Sequence, residues 1–251
     1  MKSAERQLRI REILDAQEFV DLDTLSAELE TSGSSIRRDL SALEASGVLK
    51  RVHGGALAIH PRSHLLDNSW QKTRNSDQKR RIGAATASLI ENDMTVILDG
   101  GSTVEAVASC LADRSLNVVT NSIAIAKVLG DARRIEVTLT GGYLYPRLEI
   151  LLGPLCENML SGIAADLLVM GIGGITEAGL SNNNTPLVGS QRRMIEVARR
   201  VIIVADHTKF GRAAMVPLAP LDVVDTIVSD TELAPSWRRL LKRNAVELLL
   251  A

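Results

Sequence analysis

Cysteine is scarce in this chain. Cys110 and Cys156 are the only two in 251 residues, far apart and in no metal-ligand spacing. That argues against a disulfide framework or a cysteine-based zinc site and leaves two reduced thiols, as in an intracellular protein. No apolar run reaches about 18 residues, so no membrane span is expected. The opening stretch MKSAERQLRIREIL is too charged for a signal peptide, and a cytoplasmic location is the expectation. An excess of one charge is also missing: 29 Lys and Arg face 30 Asp and Glu, for a net charge of −1. Overall charge therefore announces no nucleic-acid partner, and any DNA contact must come from a local patch. No repeat of fixed period stands out. The four histidines, His53, His60, His64 and His207, stand in no metal-type spacing, and no metal site is expected. No Ser-His-Asp or Cys-His arrangement is legible.

What is present begins with TSGSSIRRDL, Thr31 to Leu40. A short amphipathic helix, Asp23 to Glu30, precedes it, and a turn with Gly33 is expected to separate that helix from the next. Ile36, Leu40 and Leu43 make the apolar face of the second helix, and Arg37 and Arg38 stand side by side on it. Ser32 is placed to cap it, and Gly47 to end it. The outline is a helix-turn-helix with two arginines where a recognition helix meets DNA. Ile10, Ile13 and Leu14 give an earlier helix its stripe, and Leu22, Leu25 and Leu29 do the same for the next. VLKRVHGGAL, Val48 to Leu57, has two short β-prone pieces around a Gly-Gly break and suggests a wing. The domain is expected to span residues 1–57. His53 in the wing suits phosphate contact or plain exposure equally well.

Residues 58–81 are polar and basic, with Arg62, Lys72, Arg74, Lys79, Arg80 and Arg81 against Asp67 and Asp77. They are expected to form a linker that enters a helix near Ser76. The basic excess suits either a solvated helix or a segment lying over DNA.

From Ile82 to the end, short apolar runs alternate with helical stretches. The runs are Thr95 to Leu98, Asn117 to Val119, Ile135 to Leu139, Leu167 to Met170, Val201 to Ala205, Thr226 to Val228 and Val246 to Leu250. Helices are expected over Thr103 to Leu111, Ile123 to Leu129 and Val188 to Arg199. The fold class expected for 82–251 is α/β, with a largely parallel sheet covered on both faces.

Ligands of such sheets bind beyond the C-terminal strand ends. There the chain carries Asp99-Gly100-Gly101-Ser102-Thr103, Thr120-Asn121-Ser122, Thr140-Gly141-Gly142, Gly171-Ile172-Gly173-Gly174 and Asp206-His207-Thr208-Lys209. The first suits a phosphate or carboxylate, its Ser and Thr hydroxyls facing outward, or is a plain turn capped by Ser102 or Thr103. Five such loops together suggest one pocket for a small polyhydroxylated anion. Lys209 supplies positive charge, and Asp99 and Asp206 accept hydroxyls. His207 is a pocket residue or a loop histidine without a role. The GxGG stretch lacks the dinucleotide fingerprint, so no nucleotide cofactor is expected.

These residues resemble the DeoR family of bacterial transcriptional regulators over nearly the whole chain. The N-terminal match runs through ERQLRIREIL and SSIRRDLSALEASGVLKRVHGGA. The C-terminal match runs through LDGGST, VVTNS, LTGG, GIGG, GLS at Gly179 to Ser181 and ADHTKFG at Ala205 to Gly211. The resemblance implies a winged helix-turn-helix joined to a sensor domain similar to sugar-phosphate isomerases. It implies repression of sugar or polyol catabolism genes, relieved by a phosphorylated sugar. It places Ser34, Ser35, Arg37 and Arg38 on the recognition helix and Lys50, Arg51 and His53 in the wing. Asp99, Gly100, Gly101, Ser102 and Thr103 would form the phosphate loop. Thr120, Asn121, Gly141, Gly142, Gly173, Asp206 and Lys209 would complete the pocket.

The expected partners are double-stranded operator DNA, a phosphorylated sugar or polyol, and further copies of the chain as a homodimer or homotetramer. Three departures from the family pattern fall at Thr31 in the turn, at Tyr145 and Ile150, and in the acid-poor stretch NNNTPLVGSQRR, Asn182 to Arg193. The last two bear on the identity of the effector. The alternative is a sugar-phosphate isomerase with an added DNA-binding domain. It would need a general base such as Asp99 or Asp206 with a neighbouring acid, and the acid-poor stretch argues against it.

Overall fold

The computed structural model describes residues 3–17, 19–52, 54–58 and 74–251. The chain divides into two compact units, residues 1–67 and 68–251.

In the smaller unit, α1 (Ser3–Gln17), α2 (Leu22–Glu28) and α3 (Gly33–Ala45) accompany β1 (Phe19–Asp21), β2 (Leu49–Val52) and β3 (Gly55–Ala58). β3 lies between β1 and β2 in an antiparallel sheet. The three expected stripes converge: Ile10, Ile13, Leu14, Leu25, Leu29, Ile36, Leu40 and Leu43 bury one another together with Leu49 and Ala56. Asp21 caps α2 by accepting from the Thr24 amide at 2.7 Å, and Ser32 caps α3 by accepting from the Ser35 amide. Both side chains satisfy donors that the first turn of a helix leaves unpaired. Gly47 follows the end of α3 with φ +72°, the left-handed conformation that stops a helix at least cost in glycine. The turn between α2 and α3 differs from expectation. Gly33 is the first residue of α3, and Glu30, with φ +45°, makes the left-handed step.

The larger unit is built on seven parallel strands: β4 (Thr95–Leu98), β5 (Leu116–Thr120), β6 (Ile135–Leu139), β9 (Leu167–Gly171), β12 (Val201–Val204), β14 (Thr226–Ser229) and β15 (Glu247–Leu250). Each coincides with one of the seven apolar runs. Their order is β15-β14-β12-β9-β4-β5-β6, so the winding reverses between β4 and β9. Alternate residues face two cores. Ile97, Leu168, Met170 and Ile203 point into one, and Val96, Leu98, Val169, Ile202 and Val204 into the other.

Helices α4 (Ser76–Ala87), α5 (Ser102–Ala108), α6 (Ile123–Leu129), α7 (Pro154–Ser161), α8 (Thr185–Val197) and α9 (Pro235–Arg243) accompany the sheet. α8 starts three residues before the expected Val188, because Asn184 caps it and Pro186 fits its first turn. α4 and α5 lie so close that a Cβ on Gly83 would stand 2.7 Å from the Ala106 carbonyl. Small antiparallel pieces decorate the sheet: the hairpin β7 (Tyr143–Tyr145) and β8 (Ile150–Leu152), and the three strands β10 (Gly174–Thr176), β11 (Gly179–Asn182) and β13 (Val216–Ala219).

Candidate functional site

In the smaller unit Arg37 and Arg38 are exposed on α3, opposite the buried Ile36, Leu40 and Leu43. The Ser34 and Ser35 hydroxyls both lie 3.0 Å from the Ser32 hydroxyl, so all three belong to the cap of this helix. Lys50 and Arg51 are exposed on β2. Arg51 is drawn to α3: its guanidinium donates to Ser41 Oγ at 2.8 Å, its amide donates to Glu44 Oε1 at 2.8 Å, and Ser41 Oγ donates to the Arg37 carbonyl. The wing and the exposed helix face thus form one basic surface. Phosphate contacts of such a surface set position, and arginine forks read guanine edges. His53 lies outside the described residues. Asp39, beside the arginine pair, is buried and accepts from Ser3 Oγ at 2.5 Å, Arg6 Nε at 2.7 Å and Gln7 Nε2 at 3.2 Å. Burial alone would raise its pKa, but these hydrogen bonds outweigh it and hold the carboxyl below the usual range.

In the larger unit the five loops all follow C-terminal strand ends, around the point where the winding reverses. Asp99 ends β4 and is wholly buried. Burial lifts its carboxyl to about 6, against the opposing pull of the Gln191 amide, the Gly100 N–H and Asn121. Gln191 on α8 donates to Asp99 Oδ2 at 2.7 Å and reaches the Gly171 carbonyl at 3.4 Å, bridging the ends of β4 and β9. Asn182 Nδ2 donates to Gln191 Oε1 at 3.1 Å and sets the orientation of that amide. Asn121 Oδ1 accepts from the Gly100 amide at 3.1 Å.

Some expected pocket residues have other duties. The Thr120 hydroxyl donates to the Leu98 carbonyl and accepts from the Ser122 amide, so it clamps β5 to β4. Gly142 has φ +116°, and a Cβ there would stand 2.4 Å from the Leu152 carbonyl oxygen, so the β7–β8 hairpin closes only over glycine. Gly141 shares the left-handed turn at φ +70°. A Cβ on Gly173 would meet Asn182 Oδ1 at 2.8 Å. Ser102 and Thr103, expected to face outward, are buried instead, because α5 packs under α4. Neither caps α5; Gly101, at φ +136°, precedes it without a side-chain hydrogen bond. Tyr145, Ile150 and Leu187, which mark the departures from the family pattern, meet in one apolar cluster with Leu148 and Leu152. A Cβ on Gly100 would strike Ile150 Cγ2 at 2.3 Å, so this cluster lies directly against the first loop.

At the end of β12 cations gather around Asp206. Burial would raise this carboxyl, but hydrogen bonds from Thr208 and the charges of Lys209 and Lys79 hold it low. Burial lowers Lys209, with Asp206 opposing and Arg74 and Arg212 adding to the effect. Lys79, buried on α4, is pushed down to about 8 by burial and by Lys209 and Arg74, with Asp206 opposing. A stretch that looked like linker charge therefore contributes a buried cation. His207 is neither a pocket ligand nor idle: its Nδ1 lies 2.9 Å from Asp230 Oδ1 and its Nε2 3.6 Å from Glu232 Oε2. Among the described residues these three are the group whose ligand atoms lie close enough for a metal, within 4.8 Å. The two ring nitrogens face different carboxylates, so as arranged they bridge two acids and do not converge on one ion.

An arginine pair on the exposed face of a helix-turn-helix, joined to an α/β unit with buried polar groups at a topological switch point, defines a two-part DNA-binding regulator. Residues 6–62 match the family model of the DeoR-like helix-turn-helix domain, and residues 74–231 that of the DeoR C terminal sensor domain. The chain belongs to the DeoR family of transcriptional regulators; it is a regulator and not an enzyme. It is 33% identical over 250 residues to the "HTH-type transcriptional repressor GlcR" of Bacillus subtilis, covering 100% of this chain and 97% of that protein. It is 32% identical over 254 residues to the "Glycerol-3-phosphate regulon repressor" of Escherichia coli, covering 100% of both. Ribose 5-phosphate isomerase A of Methanocaldococcus jannaschii gives a partial structural match, with TM-score 0.41 and 14% identity over 54% of this chain and 55% of that one. No helix among the described residues is long and apolar enough to cross a membrane.

Proposed function

We propose that this chain is a cytoplasmic repressor of sugar or polyol catabolism genes, released from operator DNA by a phosphorylated sugar or polyol. The observation that carries the effector class is the pairing of two unlike ends in one crevice. Lys79 and Lys209 flank Asp206 at the end of β12, while Asp99, Asn121 and Gln191 gather at the ends of β4 and β5 without a cation among the groups that set the acidity of Asp99. The first end suits an anion, with Ser102, Thr103 and the Gly100–Gly101 backbone alongside. The second suits hydroxyls. The printed names of the relatives, a repressor and a glycerol-3-phosphate regulon repressor, agree with this reading.

On the DNA side, α3 enters the major groove with Arg37 and Arg38 at base edges or phosphates, and Lys50 and Arg51 neutralise flanking phosphates. One half-site offers few contacts, so a homodimer or homotetramer occupies repeated half-sites. The effector favours a state whose half-site spacing no longer fits. A 100-fold loss of operator affinity needs a coupling of roughly 2.7 kcal/mol. The test is a thermal-shift screen against phosphorylated sugars and polyols, since a ligand of the folded state raises the melting temperature. A hit that also releases operator DNA is the expected result. A hit that leaves operator binding unchanged, or no hit across the panel, rejects the assignment.

A further inference from the structure

Two buried polar atoms at the end of β4 and β5 have no hydrogen-bond partner: Asp99 Oδ1 and Asn121 Nδ2. Both residues are wholly shielded from solvent. Leaving such groups unpaired costs about 1–3 kcal/mol each, so they ordinarily mark a missing partner. The rest of each side chain is committed. Asp99 Oδ2 accepts from Gln191 at 2.7 Å, and Asn121 Oδ1 accepts from the Gly100 amide at 3.1 Å. The Asn121 backbone is fixed as well, its carbonyl accepting from the Leu151 amide at 2.7 Å. One atom therefore waits for a donor and the other for an acceptor.

We infer that a hydroxyl of the effector sits between Asp99 Oδ1 and Asn121 Nδ2, donating to the first and accepting from the second. This rests on the phosphorylated-sugar reading and assigns the orientation of that ligand. A phosphate oxygen or a carbonyl only accepts, so neither satisfies the carboxylate; a hydroxyl does both. A phosphate beside Asp99 would also meet a like charge in a poorly solvated place. The anion accordingly goes to Lys79 and Lys209. Strands β4 and β12 are separated by β9, which sets their ends about 9.6 Å apart, two strand spacings. The hydroxyl in question is thus one remote from the phosphate. Gln191 acts as a positioning residue: it holds Oδ2, so that Oδ1 is the lone pair offered.

The test titrates the full-length chain and its Asp99→Asn variant calorimetrically at pH 7.5. The probes are inorganic phosphate, glycerol 3-phosphate, ribose 5-phosphate and glucose 6-phosphate. The expected result is that the variant binds the sugar phosphate preferred by the unaltered chain roughly tenfold more weakly or worse, as loss of a charged hydrogen bond implies. Its affinity for inorganic phosphate stays within about twofold, which also reports that the variant is folded. Undiminished binding of the sugar phosphate overturns the inference, since a trapped water or the neighbouring amide then satisfies Asp99. An equal loss for both probes overturns it too, because Asp99 then serves the anion end. If the unaltered chain takes inorganic phosphate but none of the sugar phosphates, the hydroxyl site is wrong while the anion site stands. If it takes neither, the phosphorylated-sugar reading itself fails and the inference falls with it.

Discussion

Gln191 Nε2 donates to Asp99 Oδ2 at 2.7 Å across 92 residues of sequence. This bond fixes α8 over the end of β4, at the point where the sheet reverses its winding. It also keeps a carboxyl buried that water would otherwise hold more cheaply, and a measurable pH dependence follows.

Asp99 has its folded pKa near 6, above the ordinary 3.8. Its contribution to stability is therefore full below 3.8 and is lost as pH rises through about 6. Asparagine keeps the shape and the acceptor for Gln191 but never ionises. Asp99→Asn should match the unaltered chain at pH 4 and exceed it at pH 7.5, by about 3 kcal/mol for a shift of roughly two pKa units. Urea unfolding followed by tryptophan fluorescence at the two pH values measures this. A variant that is no more stable at pH 7.5 would mean that Gln191 and Asn121 already hold the carboxylate at no cost.

At the other end of the crevice the sign is opposite. Lys79, at about 8, is the cation that loses its proton first as pH rises. Inorganic phosphate should bind roughly tenfold more weakly at pH 9 than at pH 7, the change expected when one close charge is removed from a partly shielded site. Lys79→Arg, which does not titrate in this range, should flatten the profile. Lys209→Ala should leave duplex DNA binding intact while blunting release by the effector. A pH profile that is unchanged in Lys79→Arg would place the anion away from this lysine.

The division of these features between sequence and structure has a physical basis. The seven sheet strands are buried on both faces and so appear as unbroken apolar runs. Hairpins such as β7–β8 leave Tyr143 and Leu144 about half exposed and show neither a clean run nor a clean alternation. The strand-end loops were legible because glycine, hydroxyl and amide residues follow each run. Gln191 was not, because it sits on a helix and its partner is 92 residues away. Lys79 was hidden for another reason: five other basic residues lie between Arg62 and Arg81, and only the packing of α4 singles out the one that is buried. The glutamine inside the acid-poor stretch was the available signal for the first. For the second, helical spacing put Lys79 on the same face as Ile82, three residues on.

On the DNA-binding side, Arg38→Ala should weaken binding to duplex DNA and make it less dependent on salt. Loss of one phosphate contact lowers the slope of log affinity against log salt by about 0.9. Arg38 is exposed and touches no core residue of the smaller unit, so thermal stability should stay within about 0.5 kcal/mol. Unchanged DNA affinity and slope would remove this face of α3 from the interface.

The adjacent Asp39 provides the converse case. It is buried, and it ties α3 to α1 through Ser3, Arg6 and Gln7. Replacing it with asparagine keeps its volume but turns charged hydrogen bonds into neutral ones and leaves one donor facing another. The cost should be about 1–3 kcal/mol, confined to the smaller unit, and read as faster amide exchange in α1 and α3 by mass spectrometry. Because the folded pKa of Asp39 lies below 3.8, its contribution is present above that value and is lost as pH falls through the folded one. The deficit of the variant should therefore shrink in acid. DNA affinity should fall with the stability of the unit, but the salt slope should keep the value of the unaltered chain, since no phosphate contact has gone. A changed slope in Asp39→Asn would mean that this carboxylate shapes the field seen by DNA, and that its three hydrogen bonds do more than hold the helices together.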